Sequence, residues 1–339
     1  MLGERKKKVL RAIIDSYIET AEPVGSRTIA RRHDLGVSSA TIRNEMADLE
    51  EIGYLHQPHV SAGRIPSDKG YRFYVDSLMS PYPFSQGDRV RIHESFAKAR
   101  LGLKQAIHEA SRLLALLTDS ISLAVAPAAD QLVLKHLQLA AIEDSGILLT
   151  VVLHPGVVKN RLIRTEQTYT PAELYELSLV LNQKLRGVTY QDLGTTILNE
   201  IARDYGDIGK VLVELLLQGL VEERNEQVFA SGAVNILNQP EFRDVERAIA
   251  LLEILEEKER LLSLLNSVST PSGVQVVIGS ENEISSLHDC SVISCTYYVG
   301  GDVVGTLGVI GPTRMDYAKV VAAVGLVSHS LSEYLTEQK

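Results

Sequence analysis

Apolar residues recur at helical spacing from the start of the chain. Leu10, Ile13, Ile14, Tyr17 and Ile18 share one face of a helical period, which predicts an amphipathic first helix. Glu22-Pro23 and Gly25 break it, and Ser26 stands where it can cap a short second helix holding Ile29 and Ala30. Leu35-Gly36-Val37-Ser38 reads as a tight turn, with Ser38 capping a third helix that reaches about Ile52 and stops at Gly53. Tyr54-Leu55-His56 and Arg64-Ile65 read as two short strands around a loop rich in Pro, Gly and Ser. Ser67 then caps a fourth helix with Tyr71, Tyr74, Val75 and Leu78 on one stripe, and Pro81-Tyr82-Pro83 closes the unit.

Helix, helix, tight turn, helix, hairpin is the order of a winged helix-turn-helix, expected here over residues 1–80. Residues 94–123 follow as one long helical stretch. Phe96, Leu103, Ala110 and Leu117 interleave there with Ile107, Leu114 and Ile121, either as a linker helix packed on its own domain or as a dimer seam. From Leu132 to Thr165 the pattern is that of strands, with turns at Asp144-Ser145-Gly146 and Pro155-Gly156. Thr170-Pro171-Ala172-Glu173 is a capping box that opens a helical block to about Gly219. Strand character returns at Val228-Phe229-Ala230, a charged helical region spans about 240–267, and strands recur at 274–279, 290–299 and 302–310. Gly300-Gly301 joins the last two strands, and a final helix starts near Asp316. Strands before 165 are expected to pair with strands after 226, which makes the helical block an insertion in an α+β domain.

The 339 residues are 45% hydrophobic and 23% charged, an ordinary globular balance for two or three domains. No apolar run approaches the ~18 residues of a membrane span. Met1-Leu2-Gly3-Glu4-Arg5-Lys6-Lys7-Lys8 lacks the apolar region of a signal peptide. Two cysteines, Cys290 and Cys295, make no disulfide framework, so a cytoplasmic protein is expected. The net charge of −9 argues against nucleic acid for the chain as a whole. The halves differ, however: residues 1–80 hold 12 Lys/Arg against 11 Asp/Glu, while the other 259 hold 22 against 32. A comparatively basic head on an acidic body directs attention to the head.

On the third helix, Ile42, Met46 and Leu49 face the core, which turns Ala40, Arg43, Asn44 and Ala47 outward with Thr41 at the margin. Arg can bond guanine bidentately, Asn can bond adenine, and Ala can touch a thymine methyl, so this face suits a major-groove reader. Glu45, Asp48, Glu50 and Glu51 crowd the later half, so the amino-terminal half, with Ser38 and Ser39, is expected to enter the groove. The alternative is a solvated face with incidental Arg and Asn. Arg5, Lys6, Lys7, Lys8 and Arg11 gather where a helix dipole disfavours cations and are expected to meet phosphate, unless they form a solvated terminus. Arg27, Arg31 and Arg32 are further backbone candidates, and Ser61-Ala62-Gly63-Arg64 can present Arg64 from a flexible tip.

Catalytic chemistry lacks a signature. No phosphate-binding GxxxxGK[ST] loop occurs, and Gly305-x-x-Gly308 lies between strand-like residues with no helix directly after it. His56 and His59 have no carboxylate or Cys beside them for a metal, and Cys295 sits in an apolar strand where a structural thiol is the ordinary case. No enzyme, cofactor or metal is expected.

The chain resembles the bacterial heat-inducible transcription repressor HrcA family. The resemblance is carried in the head by Glu22-Pro23-Val24-Gly25-Ser26, Ser39-Ala40-Thr41-Ile42-Arg43-Asn44, Leu49-Glu50-Glu51-Ile52-Gly53-Tyr54-Leu55, Ser61-Ala62-Gly63-Arg64-Ile65-Pro66 and Lys69-Gly70-Tyr71-Arg72. In the body it is carried by Ile278-Gly279-Ser280-Glu281-Asn282 and Gly308-Val309-Ile310-Gly311-Pro312-Thr313-Arg314-Met315-Asp316-Tyr317. It implies a winged helix over 1–80 and a GAF-like α+β domain over 81–167 and 226–339 containing the 94–123 linker helix. A mainly helical dimerisation domain is then inserted over 168–225. It further implies a homodimer that represses chaperone operons at an inverted-repeat operator on double-stranded DNA, assisted by the chaperonin. Other readings are a regulator whose GAF-like domain senses a small metabolite, and an adaptor using the winged helix for protein contacts.

Overall fold

The computed structural model describes residues 2–97, 102–126, 133–142, 146–154, 157–164, 168–188, 195–206, 208–210, 212–213, 228–267 and 273–337. The head begins with helices Glu4–Thr20 (α1), Ser26–Arg32 (α2) and Ser39–Glu51 (α3). A hairpin of Leu55–His56 (β1) and Ile65–Pro66 (β2) follows, then Asp68–Phe73 (α4), which continues as a π-helical turn over Tyr74–Leu78. Val9, Leu10, Ile13 and Ile14 of α1 join Ile42, Met46 and Leu49 of α3 in one buried cluster, as the apolar periodicity requires. Ser38 caps α3 by accepting the Thr41 N–H at 3.2 Å, and Ser67 caps α4 by accepting the Gly70 N–H at 3.1 Å. Ser26 is not a cap but the first residue of α2, after Gly25. Val24 and Arg64 exchange backbone hydrogen bonds of 2.9 Å, which tie the hairpin to the segment before α2.

Gln86–Ala97 (α5) and Leu103–Thr118 (α6) lead into Ile121–Val125 (β3). The single helix expected over 94–123 is therefore corrected. Gly102 is extended and Asp119 left-handed at φ 48°, so the apolar rhythm that runs on to Ile121 belongs to two helices and a strand. The chain continues through Val133–Ile142 (β4), Gly146–His154 (β5), Val157–Arg164 (β6), Pro171–Leu185 (α7) and Thr195–Asp204 (α8). After these come Val228–Ser231 (β7), Ala233–Ile236 (α9), Val245–Glu256 (α10) and Lys258–Ser267 (α11). Val274–Ile278 (β8), Cys290–Val299 (β9), Asp302–Pro312 (β10) and Tyr317–Glu337 (α12) complete the body.

The body is a five-stranded antiparallel sheet in the order β7-β3-β10-β9-β8. Ala110 and Leu114 of α6 and Val324 and Val327 of α12 are buried with Ile293, Tyr297 and Val309 on one side. Leu251 of α10 and Leu261 and Leu265 of α11 are buried with Ile121, Leu123, Val292 and Ile310 on the other. With both faces covered, all five residues of β3 are buried, and the strand has no polar alternation. The stripe on α6 is thus taken up within the chain.

Strands β4, β5 and β6 form a sheet of their own, in that order. This corrects the expectation that all strands before 165 join the sheet that resumes after 226. Among the described residues only β3 does so, with Ser122 opposite Ser231 and Val125 opposite Val228, so the chain leaves the body after β3, ahead of the boundary expected at 168, and returns beside it at β7. The expected capping box opens α7: Thr170 Oγ1 accepts the Glu173 N–H at 3.3 Å, and Glu173 Oε2 accepts the Thr170 N–H at 2.8 Å. α7 covers the free edge of β4, where Asn182 accepts the Leu137 N–H at 2.8 Å and Ser178 the Leu139 N–H at 2.9 Å. Leu174, Leu181, Leu185 and Leu212 are buried, whereas Val158, Leu162, Tyr175 and Leu179 remain exposed. Asp144-Ser145, Pro155-Gly156, Val211, Leu215, Leu216 and Gly219 lie outside the described residues.

Candidate nucleic-acid interface

The exposed face of α3 is built by its buried one. Once Ile42, Met46 and Leu49 turn inward, Ala40, Arg43, Asn44 and Ala47 are exposed, and Thr41 is half-buried beside the cap with its Oγ1 3.0 Å from Ser38 Oγ. Ser39 starts the helix, half-buried, and Ser38 is exposed. Arg43 lines a cleft of about 510 Å³ together with Arg27 at the start of α2 and Gln57, Val60 and Arg64 of the hairpin. Three arginines therefore line one concave surface. Among the described residues Arg27, Arg31 and Arg43 make no ion pair, so their charges face outward uncompensated.

Arg64 stands differently from the expectation of a flexible tip. Its guanidinium reaches Glu50 at the end of α3, with Nε to Oε2 at 2.8 Å and Nη2 to Oε2 at 2.7 Å, while its backbone is fixed to Val24. Arg64 holds the hairpin against α3, and the protruding part of the loop is His59, Val60 and Ser61. Gln57 shapes that loop by donating to the carbonyls of Val60 and Ala62, both at 2.9 Å, and Val60 is 98% exposed.

The basic start of α1 also finds partners inside the head. Lys6 Nζ lies 2.9 Å from Asp48 and 3.6 Å from Glu45, and Arg5 lies 3.6 Å from Glu45. The hydrogen bond to Asp48 pushes the Lys6 amine up from its ordinary value. Lys7 pairs with Glu4 at 2.7 Å, and Lys8 is exposed. Arg5 and Lys6 therefore neutralise the acids on the rear half of α3, and Lys8 is left as the outward lysine of the cluster. Sequence reading missed this pairing, the Arg64–Glu50 clamp and Gln57, because each joins residues with no shared period. Elsewhere, burial pushes the Cys290 thiol up to about 12, which fits an inert structural cysteine.

Residues 104–321 match the family described as HrcA protein C terminal domain. The heat-inducible transcription repressor HrcA of Ruminiclostridium cellulolyticum is 44% identical over 338 residues, covering 98% of this chain and 97% of that protein. The protein of the same name from Acetivibrio thermocellus is 43% identical, covering 98% and 96%. A crystal structure described as that of a hypothetical protein is 28% identical over the whole of both chains, with a TM-score of 0.71. No helix among the described residues is long and apolar enough to cross a membrane. The relatives' name is that of transcription repressors, a regulatory and non-enzymatic role.

Proposed function

Because the chain belongs to the HrcA family of heat-inducible transcription repressors, we propose that it represses chaperone operons as a homodimer bound to an inverted-repeat operator. Residues 2–80 act as a winged helix-turn-helix. The amino-terminal half of α3 enters the major groove, where Ala40, Thr41, Arg43 and Asn44 read base edges and Ser38 and Ser39 approach the backbone. Arg27, Arg31 and Lys8 contact phosphate, Arg5 and Lys6 screen the acids of α3 from it, and the Val60 loop serves as the wing that Arg64 braces. The observation that carries this reading is the cleft beside the exposed face of α3 that Arg27, Arg43 and Arg64 line together.

The body serves as a GAF-like scaffold, and the insert between β3 and β7 as the dimerising domain. Its exposed Val158, Leu162, Tyr175 and Leu179 support self-association, since a small sheet with few covering helices leaves apolar surface that a second copy would bury. Chaperonin assistance is supported by the pairing of β3 with β7 across the entire insert, a non-local contact that forms slowly and leaves strand edges open meanwhile. Chain refolded from denaturant is expected to aggregate alone and to recover when chaperonin and nucleotide are present; efficient unaided refolding would contradict chaperone control. For the operator, a protection footprint on DNA upstream of a chaperone operon tests the whole reading. Two protected arms about one helical turn apart are expected, and an unprotected control region would overturn it.

A further inference from the structure

The body segments around Ile278–Asn282 and Gly308–Tyr317 meet the head. Arg72 of α4 donates through Nε to Glu281 Oε1 at 2.8 Å and through Nη2 to Glu281 Oε2 and to the Val276 carbonyl, the last at 2.6 Å. Asp68, one turn earlier, accepts from the Ser280 N–H at 2.8 Å and the Ser280 hydroxyl at 2.7 Å. At α1, Arg314 donates to the Ile18 carbonyl near the end of the helix at 2.6 Å, while Glu241 holds its Nε at 2.6 Å. The Arg314 side chain is only 11% exposed. Between the two anchors the rings of Tyr71 and Tyr317 pack with centroids 5.5 Å apart. Gly279 fits its place twice over: its φ is +51°, and a Cβ there would lie 2.4 Å from the Asp68 carboxylate.

A head hung from the 79–85 segment alone could rotate freely. Anchors on α1 and α4, which reach different parts of the body, remove that freedom. We propose that this joint orients the DNA-reading face relative to the body, so that Arg72, Asp68 and Arg314 are positioning residues that set the half-site separation the paired chain accepts. The proposal rests on the dimeric DNA-binding reading above. Its physical basis is effective concentration: a rigidly held second head gains strongly at one separation and little at others, whereas a loosened head gains moderately at many.

The test is a spacing series with the full chain. Duplexes carry the two half-sites at the natural separation, at separations changed by about half and one helical turn (roughly five and ten base pairs), or one half-site only. Removing Arg314 would leave Glu241 unpaired and half-buried, so Arg72→Ala and Gly279→Ala are the variants, one on each side of the joint. The unaltered chain is expected to lose at least about tenfold in affinity on the half-turn change, and each variant less than about threefold. Single half-site affinity should stay within about twofold of the unaltered chain, showing an intact head. Variants that keep the unaltered spacing profile would overturn the proposal. So would variants that weaken on the single half-site as much as on the repeat, or that bind every duplex more tightly. An unaltered chain with no preference for the inverted repeat would instead overturn the reading on which the proposal rests.

Discussion

Arg43 and Arg27 share a cleft but differ in what each can do there. Arg43 projects from the face of α3 that carries Ala40 and Asn44, so its planar fork can reach a base edge. Arg43→Ala is expected to cost about 1–3 kcal/mol on the operator and to relax preference at one base pair. Arg27→Ala should weaken specific and scrambled duplexes alike and lower the salt slope by about one. Base-substituted duplexes titrated with each variant check both, and equal losses on all duplexes for Arg43→Ala would reduce it to a phosphate contact. The outward face of α3 was legible because a helix with three buried positions has no choice about the rest. The roles of Lys6 and Arg64 were not, because Asp48 and Glu50 find them through tertiary packing, and charge pairing across a fold leaves no period in the sequence.

The hairpin depends on a close backbone approach. An added Cβ at Gly63 would lie 2.5 Å from the Val24 carbonyl carbon and oxygen, both rigid backbone atoms. Gly63→Ala should therefore push the hairpin off the segment before α2 and destabilise the head by about 1–3 kcal/mol, in the range of overpacked sites. A denaturant titration checks it, and an unchanged midpoint would mean that the contact relaxes freely. Elements with one wet face were read closely, α1, α3 and α7 among them. The misreading at 94–123 has a physical cause: β3 is buried on both sides, and a continuous apolar run cannot be told from a helix by its period. The breaks at Gly102 and Asp119 lie in local backbone conformation, which the apolar pattern does not register.

At the scale of the molecule, the separate sheet of β4, β5 and β6 was hidden because strand character gives no address for its partners. The adjacency of Val125 and Val228 now marks where the insert leaves and returns. Replacing residues 127–227 by a short Gly/Ser turn should preserve the head and the five-stranded body yet give a monomer, since it removes the exposed apolar surface around Val158, Leu162 and Tyr175. Equilibrium sedimentation decides: a variant that stays dimeric would move the interface to the body. Repression by this chain requires sequence-specific binding by two heads. Its most direct test is anisotropy titration of the full chain on an inverted-repeat operator and a scrambled duplex of equal length, at about 50 and 200 mM salt. Both duplexes are expected to weaken with salt while the operator keeps an advantage on the order of a thousandfold. Equal affinities with equal salt slopes on the two duplexes would contradict it.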